Sequence, residues 1–198
     1  MSEAVAAAKR LFTGHKIAEV KMTDIANECG LGVASLYRYF ETKEKIVIEA
    51  GILFWQEMKD ELFPLFHSSE YLSLCGIDRI GAILDIYVQL YREKRDFILF
   101  LDDFDSFCLA ERVDKESLAG YQAQMADFYK PYSEALEIGR RDGTVRNVPD
   151  EHLTYLTVNH AMLALLRKMA QGEILRQDEG YDSEIALMRE IILGYFRK

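Results

Sequence analysis

Apolar residues recur at steps of three and four along most of this chain of 198 residues. Such spacing places the apolar side chains on one face of an α-helix. One predicted helix carries its apolar face on Ile77, Ile80, Leu84, Tyr87 and Tyr91. The last predicted helix repeats the spacing on Ile185, Met188, Ile192 and Tyr195. No segment alternates apolar and polar residues over the length of a strand, so the pattern predicts an all-α fold.

Capping residues and prolines indicate where the helices of the N-terminal third begin and end. The first helix is predicted from about residue 3 to residue 12, and two short helices follow before residue 41. Thr42 is a favourable N-cap residue. A fourth helix is therefore predicted from residue 43 to about residue 63, where Pro64 ends it because proline lacks a backbone donor.

The remainder of the chain is divided by Pro131, Gly143 and Pro149. A Phe-rich helix is predicted over residues 96–109, and a longer one runs through Leu118, Tyr121, Met125, Phe128 and Tyr132. Pro131 falls inside that pattern and predicts a kink or a break. Gly143 predicts a turn, and Pro149 lies near the first turn of the next helix. That helix, which Gly172 ends, carries Leu153, Leu156, His160 and Leu163.

Residues 21–40 contain the most informative motif of the chain. Ile25 and Ala26 lie on a short predicted helix, and Gly30 can take the left-handed conformation that turns a chain sharply. A second short helix follows. Helix, short glycine turn and helix form the layout of a helix-turn-helix DNA reader. We expect five apolar residues to pack these helices against a third: Ile25, Ala26, Leu31, Leu36 and Phe40.

The same region resembles the N-terminal domain of TetR-family transcriptional regulators. The resemblance covers residues 4–48 and rests on Leu11-Phe12, Ile25-Ala26, Gly30, the block from Leu36 to Phe40, and Lys43. It implies a DNA-binding domain at residues 1–48, whose fourth helix from residue 43 is shared with an effector-binding and dimerisation domain at residues 49–198. It also implies a homodimer on operator DNA and, as the commonest mode, a repressor that a small ligand releases.

The residue chemistry of the motif gives a candidate DNA-binding surface. Ser35 can donate to a base edge or a phosphate, whereas Val33 and Ala34 suit thymine methyl groups. The tyrosine hydroxyl groups suit phosphate oxygens, and Lys43 can hold a phosphate together with free backbone amides. The candidate set is Thr23, Val33, Ala34, Ser35, Tyr37, Tyr39 and Lys43.

Two of the departures from the family's pattern bear on the helix-turn-helix itself. Lys21 stands where a Ser or Thr cap is usual, so the cap of the second helix must come from elsewhere. Gly32 and Val33 replace the polar pair that is common at the start of the recognition helix. The second departure removes hydrogen-bond donors from the DNA surface and leaves the operator sequence open.

The charge distribution is compatible with DNA binding by one end of the chain. The first 50 residues hold seven basic and seven acidic side chains, so the net charge of −9 falls on the remainder. Phosphate repels that acidic part, which should therefore lie away from DNA.

Aromatic residues in the middle helices are candidates for an effector site. On burial tendency alone they are more often core, whereas the resemblance favours a largely apolar ligand pocket. Asp103 is either an exposed edge residue or, among the aromatic rings, a partner for a cationic ligand. The candidate set is Tyr87, Tyr91, Phe100, Asp103, Phe104, Phe107, Phe128, Tyr132 and His160.

Residue patterns of enzymes and metal sites do not occur in the sequence, so we expect no catalytic residue, no metal and no cofactor. Cys29, Cys75 and Cys108 lack metal-ligand spacing and are expected to be buried free thiols, with a redox sensor as the alternative. No apolar run reaches the length of a membrane span, so a cytoplasmic protein is expected. The alternative functions are a regulator or activator of the same fold without a small effector, and a helical enzyme or carrier.

Overall fold

The computed structural model describes residues 1–172 and 181–198, and the described residues form eleven helices. In chain order these are α1 (Ser2–Gly14), α2 (Met22–Glu28), α3 (Val33–Phe40), α4 (Lys43–Phe66), α5 (Ser69–Ser73), α6 (Gly76–Glu93), α7 (Arg95–Ala110), α8 (Ala119–Ala126), α9 (Tyr129–Asp142), α10 (Glu151–Gly172) and α11 (Tyr181–Phe196). The predicted all-α fold is confirmed. The described residues add to it a single isolated β-bridge between Val145 and Arg197.

Two helix boundaries differ from the prediction. Helix α4 continues past Pro64 to Phe66, and the short helix α5, which the sequence pattern missed, follows it. Pro64 lies in the last turn of α4, so the backbone donor that it lacks is lost only two residues before the helix ends. Helix α5 begins because the Ser68 hydroxyl oxygen accepts a hydrogen bond from the Tyr71 amide at 3.1 Å.

The break predicted around Pro131 is confirmed, and it occurs before the proline. Helix α8 ends at Ala126, α9 begins at Tyr129, and Pro131 therefore lies in the first turn of α9. Proline is tolerated in that turn because its missing amide has no intrahelical acceptor there. At the other end of α9, Gly143 takes the predicted turn with a φ of 79°.

The chain divides into two compact units. The first comprises Met1–Asp60 and Leu99–Met125, and the second comprises Glu61–Ile98 and Ala126–Lys198. Residues 1–48, the predicted DNA-binding domain, lie within the first unit.

Stacked aromatic rings form much of the core of the first unit. Phe54 stacks on Phe100, and Phe104 stacks on Tyr121, each pair with ring centroids 4.3 Å apart. Gly51 of α4 allows the Tyr121 ring to lie against the helix backbone, because a Cβ atom on Gly51 would be 2.9 Å from that ring. The α7 phenylalanines of this unit are buried, as core packing predicts, and so is Phe97, which belongs to the second unit: the residues of this unit are Phe100, Phe104 and Phe107.

In the second unit, α6 and α9 approach each other through glycines and a shared cap. A Cβ atom on Gly76 would lie 2.1 Å from the Cα atom of Gly139, so only hydrogen fits between the backbones. Asp142 accepts a hydrogen bond from the Gly76 amide at 2.8 Å. The Thr144 hydroxyl accepts one from the Ile77 amide at 3.1 Å, so the last residue of α9 and a residue of the loop after it cap the start of α6.

Candidate functional site

The turn between α2 and α3 has the geometry that Gly30 predicts. Gly30 takes a φ of 68°, and its amide donates to the Asn27 carbonyl oxygen at 3.3 Å. The Leu31 amide donates to the Ala26 carbonyl oxygen at 2.9 Å. These two bonds form a Schellman motif, which ends a helix and satisfies its last carbonyl groups. The left-handed residue therefore fixes how the chain leaves α2 and enters α3.

Asp24 accepts a hydrogen bond at the start of α2, where Lys21 is the N-cap residue. The Lys21 amide donates to the Asp24 carboxylate at 2.7 Å at the start of α2. A carboxylate in the first turn also interacts favourably with the helix dipole. Asp24 thus satisfies the amide of Lys21, as the N3 residue of a capping box does, whereas the N-cap side chain itself makes no capping hydrogen bond.

Helix α3 buries one face and exposes the other. Leu36 and Phe40 are buried together with Ile25 and Ala26 of α2, as predicted. Leu31 is exposed, so the prediction that it packs between the helices is wrong: it belongs to the turn, after α2 has ended.

The candidate DNA-binding residues lie mostly on the exposed side of α2 and α3. Tyr37 and Tyr39 are 49% and 50% exposed, and Ala34 and Thr23 are also exposed. The remaining members of the set are half-buried: Val33, Ser35 and Lys43.

Arg38 is an exposed cation on the recognition helix that the sequence analysis did not select. Its guanidinium lies 5.1 Å from the centroid of the Tyr39 ring and donates to the Tyr39 hydroxyl oxygen at 3.4 Å. Because that oxygen accepts, the hydroxyl proton is directed elsewhere. A basic residue between two exposed tyrosines on a recognition helix was the available signal.

Lys43, in the first turn of α4, is directed toward the protein. Its ammonium donates to the Ala18 carbonyl oxygen at 3.2 Å and lies 5.3 Å from the centroid of the Phe107 ring. Burial lowers the pKa of Lys43, an effect that the nearby carboxylate of Glu111 opposes. An ammonium group has three donors, so the bond to Ala18 leaves two.

Asp103 is held by the segment between α1 and α2. Its carboxylate accepts a hydrogen bond from the Ile17 amide at 2.6 Å and lies 3.6 Å from the Lys16 ammonium. The side chain is only 16% exposed. The interpretation of Asp103 as an exposed edge residue is therefore wrong, because α7 brings it against a segment that is distant in sequence.

The candidate effector residues of the first unit are packed. Phe100, Phe104 and Phe107 are buried, and Phe104 also lines an open groove of about 470 Å³. Other side chains of this groove are Cys108, Leu109, Val113, Leu118, Tyr121 and Met125.

The candidate effector residues of the second unit include two buried tyrosine hydroxyl groups. Tyr87 donates to the Asn159 side-chain oxygen at 2.7 Å. The hydroxyl of Tyr132, a residue only 2% exposed, has no hydrogen-bond partner among the described residues. Burial raises the pKa of both phenols, and it raises that of the adjacent Tyr155 to about 12. An unsatisfied buried hydroxyl is costly and uncommon in native proteins.

The three remaining candidate effector residues differ in how far they are buried. Tyr91 is buried, and half-buried Phe128 packs edge to face on Phe63 with centroids 5.1 Å apart. His160 is exposed, so it is not the interior histidine of an apolar helix face.

The cysteines are all free, and their environments differ. Cys108 is buried, whereas Cys29 and Cys75 are half-buried, so the prediction of buried thiols holds for one of the three. Burial raises the pKa of Cys108 to about 11, which disfavours the reactive thiolate.

Within residues 1–172 and 181–198, no cluster of three or more His, Cys, Asp or Glu side chains could hold a metal ion. No helix in these ranges is long and apolar enough to cross a membrane.

A helix-turn-helix with a buried inner face and an exposed, tyrosine-rich recognition helix defines a DNA-binding class of protein. Residues 4–50 match the model of the bacterial regulatory proteins of the tetR family. No curated protein sequence matches the chain.

Solved structures extend the likeness to the whole fold. A transcriptional regulator from Saccharomonospora viridis in complex with choline is 16% identical, with a TM-score of 0.76, and the match covers 100% of this chain and 97% of that one. A TetR-family regulator from Rhodococcus sp. is 13% identical, with a TM-score of 0.71 and 97% of each chain covered. The regulator FadR from Bacillus subtilis in complex with stearoyl-CoA is 11% identical, with a TM-score of 0.67 and 98% of each chain covered. Residues 4–50 are therefore similar to the helix-turn-helix domain of the TetR family, and the chain as a whole has the fold of these transcriptional regulators.

Proposed function

We propose that the protein is a homodimeric repressor that binds an operator through α3 and is released by a small, largely apolar ligand. The exposed face of α3 carries the proposal: it presents Tyr37 and Tyr39 while Leu36 and Phe40 fix the helix from behind. A recognition helix held in this way can enter a major groove. The proposed DNA contacts are Thr23, Val33, Ala34, Ser35, Tyr37, Tyr39 and Lys43, and we add Arg38 because it is an exposed cation on the same helix.

Homodimer formation is supported by exposed apolar side chains in α10 and α11. Leu153, Leu187 and Ile191 are 60%, 61% and 59% exposed, and Tyr195 is 42% exposed. Leaving large apolar side chains in water is unfavourable, and a two-fold mate would cover them. Two recognition helices also read enough base pairs for useful specificity, which a single short helix does not.

The ligand is expected to be apolar with at least one polar group. The Tyr132 hydroxyl, buried without a partner in the described part of the chain, is the observation that favours a polar group. Two regulators of similar fold bind choline and stearoyl-CoA, each of which joins hydrocarbon groups to a charged or polar part. The candidate ligand contacts remain Tyr87, Tyr91, Phe100, Asp103, Phe104, Phe107, Phe128, Tyr132 and His160, although Asp103 is already engaged by Ile17 and Lys16.

Release of DNA requires that the ligand favour a conformation that does not fit the operator. In a dimer, a change in the separation of two recognition helices prevents both from entering their half-sites at once. Repression is the commonest mode in the family and is proposed here for that reason. We also propose that the protein acts in the cytoplasm, without catalysis, cofactor or metal.

A fluorescence-anisotropy titration tests this function with a duplex that the wild-type protein has enriched from random DNA. Tyr37→Ala should weaken binding by roughly tenfold, the effect of one lost charge-assisted or phosphate contact. The matched control is Leu72→Ala, an exposed residue of α5, which should bind like wild type. Equal binding by Tyr37→Ala and the control would place the DNA surface elsewhere.

A second titration tests the ligand. Choline and stearoyl-CoA are the first probes, and an effector must raise the melting temperature and lower DNA affinity together. If a panel of apolar and cationic compounds leaves DNA affinity unchanged, the regulator without a small effector becomes the better account. Chemical turnover of a compound by a protein that retains no DNA would instead favour the enzyme or carrier.

A further inference from the structure

The segment between α1 and α2 is folded into a tight turn around Ile17. The amides of Glu19 and Val20 both donate to the Lys16 carbonyl oxygen, at 3.0 and 3.3 Å. Ile17 itself is fully buried. The turn leads within a few residues into α2, the first helix of the DNA-binding motif. Its position therefore determines where that motif begins.

Two side chains from other helices hold this turn by its backbone. The Asp103 carboxylate of α7 accepts from the Ile17 amide at 2.6 Å, and the Lys43 ammonium of α4 donates to the Ala18 carbonyl oxygen at 3.2 Å. Consecutive residues are thus bound through a donor on one and an acceptor on the other. A short bond to a carboxylate is among the stronger hydrogen bonds in proteins.

The helices that supply these side chains have a property in common. Helix α4 and helix α7 each contribute residues to both compact units, whereas α1, α2 and α3 lie entirely in the first. The turn is therefore attached, through one hydrogen bond each, to both of these helices.

We propose that Asp103 is a positioning residue for DNA binding, which acts through the Ile17 amide and ties α7 to the DNA-binding motif. This inference rests on the proposed DNA-binding function and deepens it. Asp103 contacts no DNA in this account. It fixes the turn before α2, so a displacement of α7 is transmitted to α2 and α3 through the Asp103 carboxylate.

Three variants separate the hydrogen bond to Ile17 from the charge of Asp103 and from a general effect of changing α7. Asp103→Ala removes the acceptor, Asp103→Asn keeps an oxygen that can accept from Ile17 but loses the charge facing Lys16, and Asp105→Ala alters an exposed residue of the same helix as a control. The probe is the duplex enriched from random DNA by the wild-type protein. Asp103→Ala should bind it about tenfold more weakly with an unchanged salt slope, because no phosphate contact is lost. Asp103→Asn and Asp105→Ala should stay within about threefold of wild type.

Hydrogen exchange at the Ile17 amide provides a readout that does not depend on DNA. The amide should exchange slowly in wild type and Asp103→Asn, and about tenfold faster in Asp103→Ala. Fast exchange in the wild-type protein overturns the inference even if Asp103→Ala does not fold. Wild-type affinity in Asp103→Ala, or equal loss in the Ala and Asn variants, overturns it as well. If the wild-type protein enriches no duplex while the Ile17 amide exchanges as predicted, the DNA-binding proposal has failed. The hydrogen bond between Asp103 and the Ile17 amide is supported all the same.

Discussion

The Lys43 ammonium donates a hydrogen bond to the Ala18 carbonyl oxygen at 3.2 Å and remains half-buried. This bond holds the side chain at the start of α4 with two donors unused. If these donors reach a phosphate, Lys43 is both a support of the turn and a DNA contact, and its removal should release about one counterion fewer.

Lys43→Ala should therefore lower the slope of log affinity against log salt by about one. The measurement is anisotropy over a salt series with the enriched duplex. Lys115→Ala, an exposed lysine outside the helix-turn-helix, is the control and should keep the wild-type slope. An unchanged slope for Lys43→Ala, with or without loss of affinity, would mean that Lys43 supports the turn only.

The glycine contact between α6 and α9 predicts a large effect of a small substitution. In Gly76→Ala the new methyl group would meet the Gly139 backbone at 2.1 Å, and backbone atoms cannot move aside as a flexible side chain does. The free energy of unfolding should fall by about 2 kcal/mol or more, the cost of overpacking. Gly14→Ala is the control, since nothing lies within 4 Å of a Cβ atom there. Urea titrations of both variants that coincide with wild type would contradict the close approach.

The homodimer can be tested at the exposed apolar residues of α11. Leu187→Glu or Ile191→Glu should shift the wild-type dimer to a monomer at micromolar concentration, because an unpaired charge would be buried at the interface. Sedimentation equilibrium gives the mass directly. Leu72→Glu, at an exposed position of α5, should leave the dimer intact. A monomeric wild-type protein at this concentration would sink the dimer proposal.

Two tyrosine-to-phenylalanine variants should change stability in opposite directions. Tyr132→Phe removes a buried hydroxyl that has no partner in the described structure, so stability should rise by about 1 kcal/mol. Tyr87→Phe deprives the Asn159 side-chain oxygen of its donor, so stability should fall by about 1 kcal/mol. Thermal unfolding compares them under the same conditions. A loss of stability in Tyr132→Phe would show that its hydroxyl already has a partner and would remove the main support for a polar ligand group.

The sequence was sufficient where local chemistry decides the structure. Gly30 predicts the left-handed turn because other residues rarely take it, and helical spacing separates buried Leu36 and Phe40 from exposed Tyr37. The hydroxyl of Thr42 and the ring of Pro131 likewise act on neighbouring backbone, so a helix start and a helix break could be predicted nearby.

Contacts between distant residues could not be derived in this way. The partner of Asp103 is an amide 86 positions earlier, and no periodic pattern relates the two. The apolar residues of the last two helices show the same limit: Leu163, Ile185 and Ile192 are buried within the chain, whereas Leu187 and Ile191 are exposed. One amphipathic pattern does not reveal which apolar residues face the core and which remain for a partner.

Sequencing of the duplexes that the wild-type protein retains from a random pool tests the central claim most directly. A dimer that presents two copies of α3 should enrich an inverted repeat, with half-site centres separated by about one helical turn or a multiple of it. Tyr37→Ala, selected in parallel, should enrich the repeat weakly or not at all. Retention of no duplex above background, or enrichment of one motif by wild type and Tyr37→Ala alike, would contradict DNA recognition by α3.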